Sequence, residues 1–178
     1  MIKGLVRFFS MEAKKLDKFG RPLPELQGGY YKPSLTTDAV VIRENSEGYH
    51  DILMVTRGRE PYQGRLAFPG GFVDYNEDPL QGCLRELEEE CGVVGSSPTL
   101  LTVSGDPLRD PRGHVVSIIY KVVIPADSQI KAGDDASHAQ FYSVRELLSS
   151  PGNIAFDHTE IIKQAIKSIG QAEKYGIS

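Results

Sequence analysis

The chain has 178 residues, 40% of them hydrophobic and 25% charged, enough apolar sequence for one sizeable core and one main domain. Its net charge of -4 and isoelectric point near 5.6 exclude broad, sequence-independent binding to nucleic acid, which needs a basic face. No apolar run approaches the ~20 residues of a membrane span. The two thiols, Cys83 and Cys91, lie ~12 Å apart along one expected helix, too far for a disulfide, and suit a reducing, cytoplasmic setting.

Residues 1–36 read as an irregular arm with a short strand at Gly4–Phe9, punctuated by Pro22, Pro24, Gly28, Gly29 and Pro33. The segment is basic and partly apolar, which leaves a mitochondrial presequence as the alternative to an arm. It also carries Glu12 and Asp17, and it has no long apolar stretch or small-residue cleavage site. Thr37–Arg43 and Asp51–Arg57 are β-branched apolar runs around a polar turn, and they predict a hairpin. Leu66–Phe68 is a short apolar piece, and Pro69-Gly70-Gly71 after it predicts a turn.

A helix is expected over Pro79–Cys91. Asp78 is a suitable N-cap, Pro79 suits the first helical position, and Gly92 suits the left-handed residue that ends it. Gly82 inside that helix costs ~1 kcal/mol against alanine, which a close approach by another group would explain. Strands follow near Leu100–Ser104 and His114–Ile124, joined by the polar loop Gly105–Gly113. After the loop Ala132–Ser137 come a short strand at Gln140–Tyr142, a short helix at Val144–Ser149 and an amphipathic helix at Asp157–Ile169. Strands, helix, strands and helices in this order suggest an α+β or α/β sandwich with a mixed sheet. There is no regular βαβ alternation, and no G-x-G-x-x-G opens a helix.

At ~100° per residue, Leu80, Cys83, Leu84, Leu87 and Cys91 share one face of the first long helix. Glu86, Glu89 and Glu90 share a strip beside it, while Glu88 points elsewhere. Like charges so spaced repel by a few tenths of a kcal/mol per pair. Either the strip is a solvated acidic surface, or a hard divalent cation with oxygen ligands offsets the repulsion.

A longer pattern surrounds those glutamates. Gly71 is followed after five residues by Glu77, then after seven by Arg85-Glu86-Leu87-Glu88-Glu89-Glu90-Cys91-Gly92-Val93. This resembles the Nudix box, G-x5-E-x7-R-E-U-x-E-E-x-G-U with U a bulky aliphatic residue, at every constrained position. The resemblance implies a Nudix-type α/β/α sandwich over residues 37–178 and hydrolysis of a nucleoside diphosphate linked to a further group. It implies magnesium or manganese held by Glu86, Glu89 and Glu90, with the carbonyl of Gly70 completing the site. Arg85 and Glu77 would brace the loop against the helix, and Gly71 would permit a tight turn. The water-activating base would be Glu89, or else Asp134 or Asp135, which also suit an ordinary turn.

The segment Arg109-Asp110-Pro111-Arg112-Gly113-His114, the stretch Gly133–Ala136 and Phe141-Tyr142 resemble the ADP-ribose pyrophosphatases of that family. The reaction so implied converts ADP-ribose and water to AMP and ribose 5-phosphate. Arg57, Arg65, Arg109 and Arg112 are the candidates to meet phosphate, against a plain reading as loop arginines. Tyr30, Tyr31, Tyr62 and Phe68 are candidates to stack on adenine. One position departs from the pattern: some ADP-ribose pyrophosphatases carry a proline sixteen residues beyond the box, where this chain has Arg109 between Pro107 and Pro111. Hydrolysis of a nucleoside triphosphate or dinucleoside polyphosphate therefore stays open, as does an ADP-ribose sensor that does not cut. The N-terminal arm is also a candidate contributor to a homodimer.

Overall fold

A computed structural model describes Gly20 and residues 31–178, apart from residues 134 and 135 and the side chains of Ala136 and Ser137. The expected strand at Gly4–Phe9 and Tyr30 lie outside the described residues. Pro33–Ser178 forms a compact unit.

Two sheets make its centre. In the first, the order is β5 (Gly70–Phe72), β1 (Ser34–Val40), β7 (Val115–Val123) and β6 (Ser96–Ser104). β1 runs parallel to β7, while the β5–β1 and β6–β7 pairs are antiparallel, so the sheet is mixed. In the second, β3 (His50–Arg57) is central and antiparallel to β2 (Ile42–Glu44), β4 (Leu66–Ala67) and β8 (Ala136–Ser143).

Helices cover both faces. Ala39, Leu53, Val55 and Val122 point to the side of α1 (Pro79–Cys91), where Cys83, Leu87 and Cys91 are buried. Their strand neighbours Val40, Ile52, Met54 and Ile119 point the other way, to α2 (Val144–Ser149) and α3 (His158–Ser168). Each central strand thus sends alternate residues into opposite cores, which is why β3 reads Ile52-Leu53-Met54-Val55 without a polar interruption. The result is an α/β/α sandwich with mixed pairing.

The expected hairpin is only partly formed. Ile42–Glu44 does fold back on β3, but Ser34–Val40 belongs to the other sheet, beside β5 and β7. A run apolar on both faces satisfies two neighbours far along the chain as readily as one nearby. Gly70 and Gly71 also differ from the expected turn. They lie in a strand, with Asp38 opposite Gly70 and Thr37 opposite Gly71, and neither takes a positive φ.

The helix α1 forms as its sequence requires. Asp78 Oδ1 accepts from Leu80 N at 2.8 Å, and Gly92 ends the helix at φ 66°, donating to the Glu88 carbonyl. Among the described residues no helix is long and apolar enough to cross a membrane.

Candidate functional site

The acidic strip of α1 faces the two glycines of β5. Gly70 N donates to Glu90 Oε2 at 3.0 Å. A Cβ on Gly71 would lie 2.4 Å from Glu86 Oε1, so only glycine admits that carboxylate. Glycine is required here for close approach and not for a tight turn. Glu89 stands further out, its side chain 58% exposed.

Burial sets the electrostatics. Desolvation pushes Glu90 up to about 7 against the opposing hydrogen bond from Gly70, with the charges of Glu86 and Asp38 pushing the same way as burial. Glu86 is likewise raised, chiefly by desolvation and against Arg85. Two crowded, desolvated carboxyls resist full ionisation together, and a cation would relieve them.

Arg85 organises the outer side. Its Nε donates to Glu77 Oε1 at 2.8 Å and its Nη2 to Glu77 Oε2 at 3.0 Å, a bidentate pair. Nη1 donates to Glu86 Oε1 at 2.7 Å and Glu89 Oε2 at 3.1 Å, and Nη2 also reaches the Phe72 carbonyl. The Arg85 guanidinium and the backbone N–H of Asp74 hold Glu77 down at about 2. Gly82 belongs to the same arrangement: a Cβ there would lie 2.8 Å from Glu77 Oε2. The close approach that justifies a glycine inside this helix is therefore a side-chain carboxylate.

Among the described residues, no three of the His, Cys, Asp and Glu side chains are gathered into a ready-made metal cage. Arg85 stands among three of the glutamates instead. The donor set nevertheless fits a hard divalent cation, because all its atoms are oxygens and Gly71 admits the Glu86 carboxylate where a side chain would displace it. Gly70 meets Glu90 through its N–H, whereas the sequence suggested a part for its carbonyl.

Next to the glycines lies a cavity of about 90 Å³ whose wall includes Gly70, Gly71, Asp38, Arg57, Arg109 and Arg112. The three arginines are not equivalent. Arg109 has a side chain 4% exposed and is spent on Asp157, with Nε to Oδ2 at 3.0 Å and Nη2 to Oδ1 at 2.6 Å. Arg112 is paired with buried Asp110 at 2.7 Å and lies over the rings of Phe72 and Phe156. Arg57 is half-buried, and among the described residues its guanidinium donates only to the carbonyls of Pro61, at 2.7 Å, and Arg59. No carboxylate among the described residues is within ion-pair reach of it. Burial, then the charge of Arg112, pulls its pKa down. A register shift between Thr56 and Arg57 marks the point where β3 turns that side chain toward the cavity.

Arg65 does not reach this cavity. It is exposed, and its guanidinium lies 5.2 Å from the centre of the Tyr62 ring. Phe68 is 2% exposed and belongs to the core, and Tyr62 packs edge-on against Phe156 at 5.0 Å. The exposed ring at the cavity is Phe72, at 47%. Asp134 and Asp135 lie outside the described residues, while Gly133 N donates to the Glu90 carbonyl at 3.0 Å.

Sequence reading missed Asp38, Asp110, Phe72, Phe156 and His158. Asp38 stands immediately before the apolar run Ala39–Ile42, where a buried acid is unusual. That was the one available signal. Phe156 and His158 arrive on a strap, Ile154–His158, that runs beside β4 through the Leu66–Ile154 bridge and the bond from Ala155 N to the Leu66 carbonyl. Nothing local announces that contact.

Comparison with known proteins agrees with this geometry. The NUDIX domain family model matches residues 32–165. An ADP-ribose pyrophosphatase of Methanocaldococcus jannaschii is 36% identical over 138 residues, 78% of this chain and 76% of that protein. An ADPR responsive transcriptional repressor, NtrR, of Acinetobacter baylyi is 30% identical over 150 residues, 82% of this chain and 58% of the repressor. The NUDIX domain of Shewanella oneidensis NrtR, solved with ADP ribose, superposes with a TM-score of 0.71 at 29% identity, covering 79% of this chain and 90% of that one.

Proposed function

The chain belongs to the Nudix hydrolase family, and on that premise we propose that it hydrolyses ADP-ribose to AMP and ribose 5-phosphate. The observation that carries the reading is the pair of carboxylates, Glu86 and Glu90, set against Gly71 and Gly70, two glycines that also line a cavity with three arginines.

Glu86 and Glu90 would hold magnesium or manganese, with Glu89 as a further ligand. A divalent cation bound there polarises phosphorus and makes water more acidic. Arg85 keeps Glu86 and Glu89 oriented and is itself fixed by Glu77. Arg57, with no carboxylate partner among the described residues, meets the diphosphate charge. The base that takes the proton from water is Glu89 or an acid of the loop at Asp134 and Asp135. Water adds to one phosphorus, the bond to the bridging oxygen breaks, and that oxygen leaves on the other phosphate.

Purified protein incubated with ADP-ribose, with and without magnesium or manganese, tests the reaction. AMP and ribose 5-phosphate appearing only with metal support it. No products from ADP-ribose, with turnover of a nucleoside triphosphate or dinucleoside polyphosphate, would move the substrate. Tight binding of ADP-ribose without any product would favour a sensor, the reading to which the repressor relative points.

A further inference from the structure

His158 is the first residue of α3, yet its ring is buried, with a side chain 3% exposed. It lies between Phe68 and Phe156, 4.9 and 5.4 Å from their ring centres. Its Nδ1 is 3.1 Å from Phe68 N. A backbone N–H only donates, so Nδ1 accepts and carries no proton. The ring proton is then on Nε2, which faces Asp38 Oδ1 at 3.8 Å. Burial pulls the imidazole pKa down, consistent with a neutral ring.

The Nδ1 contact holds the segment that leads into Gly70, while Nε2 stands beyond hydrogen-bond distance of Asp38. Phe68 is two residues before Gly70, and the intervening Pro69 has its carbonyl bound by Ala39 N at 2.8 Å. On the other side, Asp38 Oδ1 lies 2.7 Å from where a Cβ on Gly70 would stand, and Asp38 Oδ2 accepts from Ser117 Oγ. Gly70 in turn supplies the backbone donor on Glu90.

We propose that His158 is a positioning residue of the hydrolytic site, holding the Phe68–Gly70 backbone through its acceptor on Phe68 N so that the Gly70 N–H fixes the Glu90 carboxylate. It lines the cavity beside Gly70 and has no hydrogen bond to Glu90, so it acts on that carboxylate through the Phe68–Gly70 backbone. The part that concerns hydrolysis rests on the metal-dependent reading above. The brace itself is a property of the protein alone.

Imidazole ¹⁵N shifts of the wild-type protein decide the first step. A neutral ring with the proton on Nε2 is expected, and a proton on Nδ1 would overturn the brace. Three proteins then decide the second step: wild type, His158→Leu and His158→Asn. Leucine removes the acceptor for Phe68 N, while asparagine keeps one in nearly the same place. In the leucine variant, hydrogen exchange at the Gly70 amide should quicken at least tenfold and Mn²⁺ affinity should fall about tenfold. Its kcat should fall with KM for ADP-ribose within twofold, and asparagine should recover most of each loss. A folded leucine variant with wild-type Gly70 exchange and Mn²⁺ affinity would overturn the proposal, as would an asparagine variant no better than leucine. Wild-type protein that binds no Mn²⁺ would sink the metal reading instead, and the tautomer and Gly70 exchange would still decide the brace.

Discussion

Glu86 occupies the space where Gly71 would carry a side chain: a Cβ there would fall 2.4 Å from its Oε1 and 2.5 Å from its Cδ. The carboxylate cannot simply swing away, because Arg85 Nη1 holds it at 2.7 Å. Glycine in this strand is therefore part of the acidic site.

Gly71→Ala should displace the Glu86 carboxylate by about an ångström and lower kcat about 100-fold, because a misplacement of that size costs as much in a positioned site. β5 is short and its pairing with β1 is backbone-only, so far-ultraviolet circular dichroism should be unchanged. Wild-type turnover in the alanine variant would show that Glu86 needs no such placement.

Glu90→Gln should abolish metal-dependent turnover, a loss of about 100-fold or more. The variant removes a negative charge that burial already disfavours, so its melting temperature without metal should match or exceed that of the wild type. Added Mn²⁺ should raise the wild-type melting temperature and leave the variant's almost unmoved. An active Glu90→Gln enzyme would remove Glu90 from the ligand set.

Glu77 should make stability depend on pH in a stated direction. Its carboxyl lies near 2 in the folded chain against an ordinary 4.5, so the folded state binds its proton less readily than the unfolded one. Its contribution is complete above 4.5 and fades as pH falls toward 2. Wild type and Glu77→Gln, unfolded in urea across that range, should differ most at neutral pH and converge in acid. A constant gap would show that the ion pair with Arg85 is not its source.

Two arginines of one cavity should respond differently. Arg57→Gln removes a cation with no carboxylate partner among the described residues, so KM for ADP-ribose should rise about tenfold with stability little changed. Arg109→Gln leaves Asp157 without its bidentate partner, and it should cost about 3 kcal/mol in urea unfolding. Equal effects on both measurements would remove this distinction.

The sequence alone was enough to place the helix α1, its caps and its acidic strip, because each depends on groups within four residues of one another. It was also enough to identify the family, because the glycine, the outer glutamate and the helix lie in one continuous stretch. Tertiary structure alone decided how the arginines divide their work. Arg109 is neutralised by an acid 48 residues away, Arg65 turns to a ring outside the cavity, and of the three cavity arginines Arg57 alone pairs with no described carboxylate. It also decided that β1 leaves its expected hairpin for a parallel partner, and that His158 and Asp38 meet beside Gly70. The physical reason is the same in each case. Periodicity and capping are local energies written in neighbouring residues, whereas burial, charge pairing and strand choice depend on which distant segments the two cores bring together.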